Sequence, residues 1–254
     1  ARSSTTPFGS VHPRRRRPKQ RLEEQLHAGA RGLKLHPQLQ KFLPGADEAM
    51  PLYALAAAER IPVLWHCGPV GLELPSARKF VQVPSYERPL AECPETTFVL
   101  GHAGALDSDQ GLELQLRHAN AVLEVSCISL SQLRRVIDRG DPDRIVYGTD
   151  WPFYHHALAL AKVLVATEGR PALRRKILHD NAARLLGLWL RVRAPRSRGE
   201  RVRSTRFRAC RTRSRRCRSR YSCRRSTPTI SVFRSRMWAW RSRPRACSTS
   251  PPIR

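Results

Sequence analysis

Long apolar runs are missing from these 254 residues. None approaches the roughly 18–20 apolar residues that a membrane-spanning helix needs, so no span is expected. The opening segment ARSSTTPFGSVHPRRRR has no apolar h-region, which excludes a secretory signal there. It also lacks an initiator methionine, which points to a processed or truncated chain. CxxC pairs are missing too, and the cysteines number seven, an odd total at wide spacing. That excludes a disulfide framework and a zinc-finger spacing, and a reducing, cytoplasmic setting is expected. Lysine and aspartate are missing from the last 64 residues, which hold 22 Arg and a single acid, Glu200. This tail carries +21 of the formal charge of +27, leaving an ordinary +6 for residues 1–190.

The tail, 191–254, reads as a disordered Arg/Ser-rich segment with too little periodic apolar content to offset its chain entropy. As a polybasic segment it would bind phosphate backbones without sequence preference. Phe207, Tyr221, Trp238 and Trp240 lie among the arginines and are candidates for base stacking. A composition of Arg, Ser, Pro, Cys and Trp without Lys is also what GC-rich DNA yields when read out of frame. Nucleic acid is therefore an expected partner only if the tail is a genuine product.

The front region, with a hydrophobic fraction of 41% for the whole chain, has enough apolar content for a core. It alternates short apolar runs with amphipathic stretches. Strands are expected at Pro7–Val11, Gly32–His36, Pro62–His66, Thr97–His102, Ala121–Ser126 and Arg144–Asp150. Helices are expected at Lys19–Ala28, Ala46–Arg60, Tyr86–Glu92, Leu112–Ala119, Leu130–Arg139, His156–Glu168 and Pro171–Leu188. Near-continuous apolar strands, each followed by a helix, indicate a parallel sheet covered by helices, hence an α/β fold. On pattern alone, an open doubly wound sheet and a (β/α)8 barrel both remain.

Polar residues recur where the strands end. GLKLH ends in His36 with Lys34 two residues back, PVLWH in His66, TFVLGH in His102 and RIVYGTD in Asp150. In parallel α/β folds the carboxyl ends of the strands share one face, so these side chains converge. Imidazoles with a carboxylate suit a borderline divalent cation, zinc first among them. Three protein ligands with an open position acidify a bound water and present it as a nucleophile. Asp150 is a candidate ligand or proton acceptor, and His102 a candidate ligand or acid/base group.

Taken singly, a strand-end His is more often a hydrogen-bonded structural residue, and His12 and His36 carry little weight alone. Lys34 suits a buried ion pair as well as substrate binding. Cys67 reads as packed, His155 and His156 as exposed, and His27, His118 and His179 as surface or cap residues. Glu124 is a candidate for lining a barrel or pairing with a cation. The joint placement of His66, His102 and Asp150 is what such ordinary readings explain poorly.

The ordered series GSVHP, GARGLKLHPQLQKFLP, IPVLWHCG, FVLGHAG, RIVYGTDWP and ILHDNAARLLGL resembles the amidohydrolase-related family. Its members are metal-dependent hydrolases and decarboxylases built on a TIM-type barrel. The resemblance covers roughly residues 8–188. It implies that His66 is a metal ligand, that His102 is a ligand or acid/base, and that Asp150 is a ligand or the base for the attacking water. It also implies that Lys34 and His36 line the substrate pocket and that the Asn181–Leu188 helix docks the barrel.

The family begins with a His-x-His pair on its first strand, and no such pair occurs in this sequence. The expected architecture is therefore an incomplete barrel over 1–190, with about six of eight strands, followed by the tail. The expected activity is hydrolysis of a small carbonyl, lactone or amide substrate through a metal-bound water. Non-oxidative decarboxylation, or an inactive fragment whose basic tail binds nucleic acid, are the alternatives. Turnover of the chain as written is expected to be low.

Overall fold

A computed structural model describes residues 5–188. The Arg-rich segment 191–254, and every expectation attached to it, lies outside the described residues. No helix among the described residues is long and apolar enough to cross a membrane.

The sheet has five parallel strands: β1 (Leu33–Leu35), β2 (Val63–His66), β3 (Phe98–Gly101), β4 (Ala121–Glu124) and β5 (Ile145–Val146), in sequence order. Each crossover between them carries helix, as the alternating pattern requires. The row is open, with β1 and β5 at its ends, so the architecture is an incomplete barrel.

The sequence pattern expects strands at both ends that the structure trims. Pro7–Val11 contributes only an isolated parallel bridge, Gly9 to Leu33. The segment Arg144–Asp150 is paired only at Ile145–Val146. The remaining residues, through Asp150, leave the sheet as a loop and carry the aspartate away from the strand proper.

Register divides the strands into two faces. Leu35, Trp65, Leu100 and Leu123 are in register, with Ile145 opposite Leu123. With Leu33, Val63, Phe98 and Ala121 they present a fully buried apolar face. The helices Pro18–His27, Met50–Ala58, Ser108–Arg117 and Leu130–Arg139 cover it, sending Leu22, Leu52, Leu112 and Leu133 into the same core. The last of these helices shows how sequence sets an element. Ser129 accepts from the Gln132 N–H (3.2 Å) while the Gln132 side chain accepts from the Ser129 N–H (2.9 Å), a capping box. Leu133, Val136 and Ile137 then repeat at helical spacing and are all buried.

The opposite face carries Lys34, Leu64, Val99 and Val122 in one row. One pleat further toward the carboxyl ends lie His66, Gly101 and Glu124, with His36 two residues beyond Lys34. The expected terminal helix is one continuous helical run with a π-helical stretch at Lys176–Asp180. Buried Asn181 pins it to the sheet by donating to the carbonyls of Pro142 (2.8 Å) and Ile145 (2.7 Å).

Candidate metal centre

The strands end in glycine-containing turns, and two of these glycines have a steric reason. Gly68 follows His66-Cys67 and has φ 84°, and Gly104 follows His102-Ala103 and has φ 90°. A Cβ on Gly68 would lie 1.9 Å from the Gly104 carbonyl oxygen, so the two loops pack backbone against backbone. This brings the ends of β2 and β3 together. Tyr86 fixes β2 further: fully buried, it donates its hydroxyl to the His66 carbonyl at 2.5 Å.

The structure brings His66 and His102 into direct contact, with His102 Nε2 3.0 Å from His66 Nδ1. The other nitrogen of His102 lies 2.8 Å from Ser126 Oγ. Glu124 organises this arrangement. Its carboxylate accepts from the backbone N–H of His102 (3.0 Å), the N–H of Ser126 (2.7 Å) and the Ser126 hydroxyl (2.8 Å). A carboxylate-anchored hydroxyl in contact with an imidazole nitrogen holds the ring in one orientation. His36 stacks on His66, with ring centroids 4.0 Å apart and 12° between planes. Its own Nδ1 accepts from the Leu39 N–H, capping a short helix.

Asp150 joins from the loop beyond β5. Its carboxylate, His102 and Cys127 offer ligand atoms that all lie within 4.8 Å of one another, with Cys127 Sγ 3.4 Å from Asp150 Oδ2. His102 (φ 63°), Cys127 (φ 62°) and Asp150 (φ 55°) all adopt left-handed backbone conformations. A non-glycine residue held there costs of order 1–3 kcal/mol, and such strain concentrates at functional sites.

The electrostatics suit a cation. Burial, then the neighbouring His36 and His102, pushes the His66 pKa down to about 2. Burial, then the charge of Lys34, pushes His36 down to about 4. Burial is also the largest influence lowering His102. These imidazoles are therefore neutral near pH 7, the form that coordinates metal. Burial lowers the Lys34 pKa as well, while the carboxylates of Glu124 and Asp150 favour its charged form. Burial pushes the Cys127 thiol up to about 12.

His66 Nε2 is buried with no hydrogen-bond partner. Leaving a polar atom so costs about 1–3 kcal/mol, and coordination would remove that cost. A neutral, orphaned imidazole nitrogen on a ring that meets His102, which itself lies beside the Asp150 carboxylate, fits a divalent cation by donor type.

Every candidate read from the strand ends is thus placed. His66, His102 and His36 form one contiguous ring cluster. Lys34 is a pleat below, within electrostatic reach of Asp150. His12 instead accepts from the Arg14 N–H in its own loop. Cys67 is buried, and His155 and His156 are exposed. Cys127 and Ser126 were not among the candidates. They follow β4 as His102 follows β3, so the strand-end rule applied to AVLEVSC would have found them.

The amidohydrolase family model matches residues 6–188. No curated protein matches the chain. Among solved structures, an uncharacterised TIM-barrel protein from Bordetella bronchiseptica is 24% identical with a TM-score of 0.62, covering 72% of this chain and 66% of that one. A 2,6-dihydroxybenzoate decarboxylase from Rhizobium is 20% identical (TM-score 0.54), covering 72% of this chain and 71% of that one. A 5-carboxyvanillate decarboxylase from Sphingomonas paucimobilis is 15% identical (TM-score 0.56), covering 72% of this chain and 66% of that one. The chain spans just under two thirds of the first of these. At these identities the likeness establishes the fold.

Proposed function

The chain belongs to the amidohydrolase family, and on that premise we propose that it is a metal-dependent hydrolase of a small carbonyl, lactone or amide substrate. The observation that carries this reading is the buried, unpartnered Nε2 of His66, whose ring meets His102; His102 in turn shares a group of potential ligand atoms with Cys127 and Asp150. In this reading His66, His102 and Asp150 hold a divalent cation, zinc first among the candidates by donor set. When bound, such a cation supplies a Lewis acid and a source of nucleophilic water near neutral pH.

The chain's own residues do the rest. Asp150 accepts a proton from the attacking water and returns it to the leaving group. Glu124 and Ser126 hold the His102 ring in one orientation. The His36 ring, stacked on His66, shields that imidazole and forms one wall of the substrate site. Lys34 stands where negative charge on the substrate can be balanced.

Lys34 also favours a second reading, non-oxidative decarboxylation. A half-buried amine below the histidine cluster suits a substrate carboxylate. Zinc-loaded protein offered esters, lactones and aromatic carboxylates distinguishes the two by product: a hydrolysed acid in one case, carbon dioxide in the other. Under either reading His66→Ala and Asp150→Asn lower turnover by about 10²-fold or more. Unchanged turnover in both variants would remove these residues from the site.

A further inference from the structure

We propose that Cys127 is a ligand of the same cation, so that the donor set is imidazole, carboxylate and thiolate. This rests on the reading that the His66–His102–Asp150 cluster holds a divalent cation. Cys127 Sγ lies 3.4 Å from Asp150 Oδ2. A tetrahedral zinc ion with sulfur at about 2.3 Å and oxygen at about 2.1 Å holds that pair about 3.6 Å apart. At this distance the Cys127 thiol donates a hydrogen bond to Asp150, so exchanging its proton for a cation asks for little movement of either donor. The ligand atoms of His102, Cys127 and Asp150 all fall within 4.8 Å of one another. The imidazole bonded to His102 has a buried nitrogen with no partner.

The backbone is committed to this placement. Cys127 is held at φ 62°, a conformation that a side chain rarely adopts, in the turn immediately after the Glu124–Ser126 hydrogen bonds. A glycine would reach that conformation without strain. The structure instead spends a thiol there, beside the aspartate.

On binding, the Cys127 S–H bond breaks, a sulfur–metal bond forms and the proton leaves to solvent. No electron is transferred. The softer donor set tilts the site toward zinc or cobalt and away from magnesium or manganese.

Co(II) spectroscopy on the full chain tests this. At one equivalent of Co(II), the wild-type protein is expected to show a near-ultraviolet thiolate-to-cobalt charge-transfer band. Cys127→Ser is expected to lose that band and to bind Co(II) about tenfold or more weakly. Cys127→Asp, which keeps a donor, is expected to bind Co(II) without the band. The remaining thiols are common to all three proteins. A second measurement needs no variant. In the wild-type chain, zinc is expected to slow alkylation of Cys127, read by peptide mass spectrometry, about tenfold or more.

Co(II) bound with no charge-transfer band, together with a Cys127 alkylation rate unchanged by zinc, would overturn the thiolate assignment and leave the metal reading standing. An unchanged band in Cys127→Ser would overturn it as well. Failure of the folded wild-type chain to bind Co(II) would overturn both readings.

Discussion

The two faces of the sheet divide the work of the molecule. The helix-covered face is apolar along its whole length: Leu33, Leu35, Val63, Trp65, Phe98, Leu100, Ala121, Leu123 and Ile145 are all fully buried. The opposite face is mixed. It carries Leu64, Val99 and Val122 in its middle row, then His36, His66 and Glu124 at the carboxyl ends. Residues one position apart on a strand therefore do opposite jobs. Trp65 stacks on Phe98 with centroids 4.2 Å apart and meets Tyr86 edge-on, while His66 bonds to His102. A period of two thus lets a strand contribute to both the core and the chemistry without compromise in either. It also means that a slip of one residue in register would exchange core for site.

The largest effect expected from breaking this division is on the covered face. Trp65→Ala removes a side chain packed among Tyr53, Tyr86 and Phe98 and is expected to cost about 3–5 kcal/mol. That is a large share of the 5–15 kcal/mol that typically holds a domain together. Urea denaturation reads it directly, and an unchanged midpoint would show that the covered face is not where stability resides.

On the mixed face the expected effect is smaller and of another kind. Glu124→Gln leaves the strand intact but replaces a carboxylate that accepts from two backbone N–H groups and the Ser126 hydroxyl. Metal affinity is expected to fall about 10–100-fold, read by calorimetric titration with zinc. A drop in stability with unchanged affinity would make Glu124 a structural residue only.

The smallest effect lies at the amino end of the sheet, where charge serves structure. Arg144 donates to the carbonyls of Gln115 (2.8 Å), His118 (2.6 Å) and Ala121 (3.1 Å), and its Nε donates to Asp141 at 2.7 Å. The Arg144 hydrogen bond holds the Asp141 carboxyl below the usual carboxylate range. Because the folded pKa is depressed, the stabilisation is present above the unfolded value of about 3.9. It is lost as pH falls through the folded value. The carboxylate is more than a third exposed, so solvent screening limits the effect to about 1 kcal/mol or less. Asp141→Asn is expected to lower the unfolding midpoint at pH 7, to approach wild type below about pH 4, and to leave metal affinity unchanged. A gap that persists in acid would contradict the assignment.

Most of this division was legible in the sequence, for reasons that particular residues show. VLWH and FVLG are short apolar runs, each followed by a helical stretch, and so read as buried strands, and the histidine that ends or follows each run marks the carboxyl edge. LSQLRRVIDR has apolar spacing and, with Ser129 before it, a capping box, and its observed bounds, Leu130–Arg139, match those expected. Legibility fails where tertiary contacts decide the backbone. RIVYGTD has a strand's composition, yet beyond Val146 it leaves the sheet, because Gly148 must approach the Glu124 carboxylate. A Cβ at Gly148 would lie 1.9 Å from Glu124 Oε1. Pro7–Val11 likewise falls short of a strand and is paired through the Gly9–Leu33 bridge. The strand-end pattern marks the position of Cys127, just past the expected end of its strand, but not its role. Its left-handed conformation and its approach to Asp150 are tertiary facts that carry no local signal.

The central claim is that the carboxyl ends of β2 and β3, with the loop after β5, hold one divalent cation. Zinc binding to the full wild-type chain and to His66→Ala, measured side by side by calorimetric titration, tests it most directly. The account predicts a site in the wild type that His66→Ala weakens by about tenfold or more, while both proteins retain the same circular dichroism. Equal zinc affinity in the two folded proteins would contradict it.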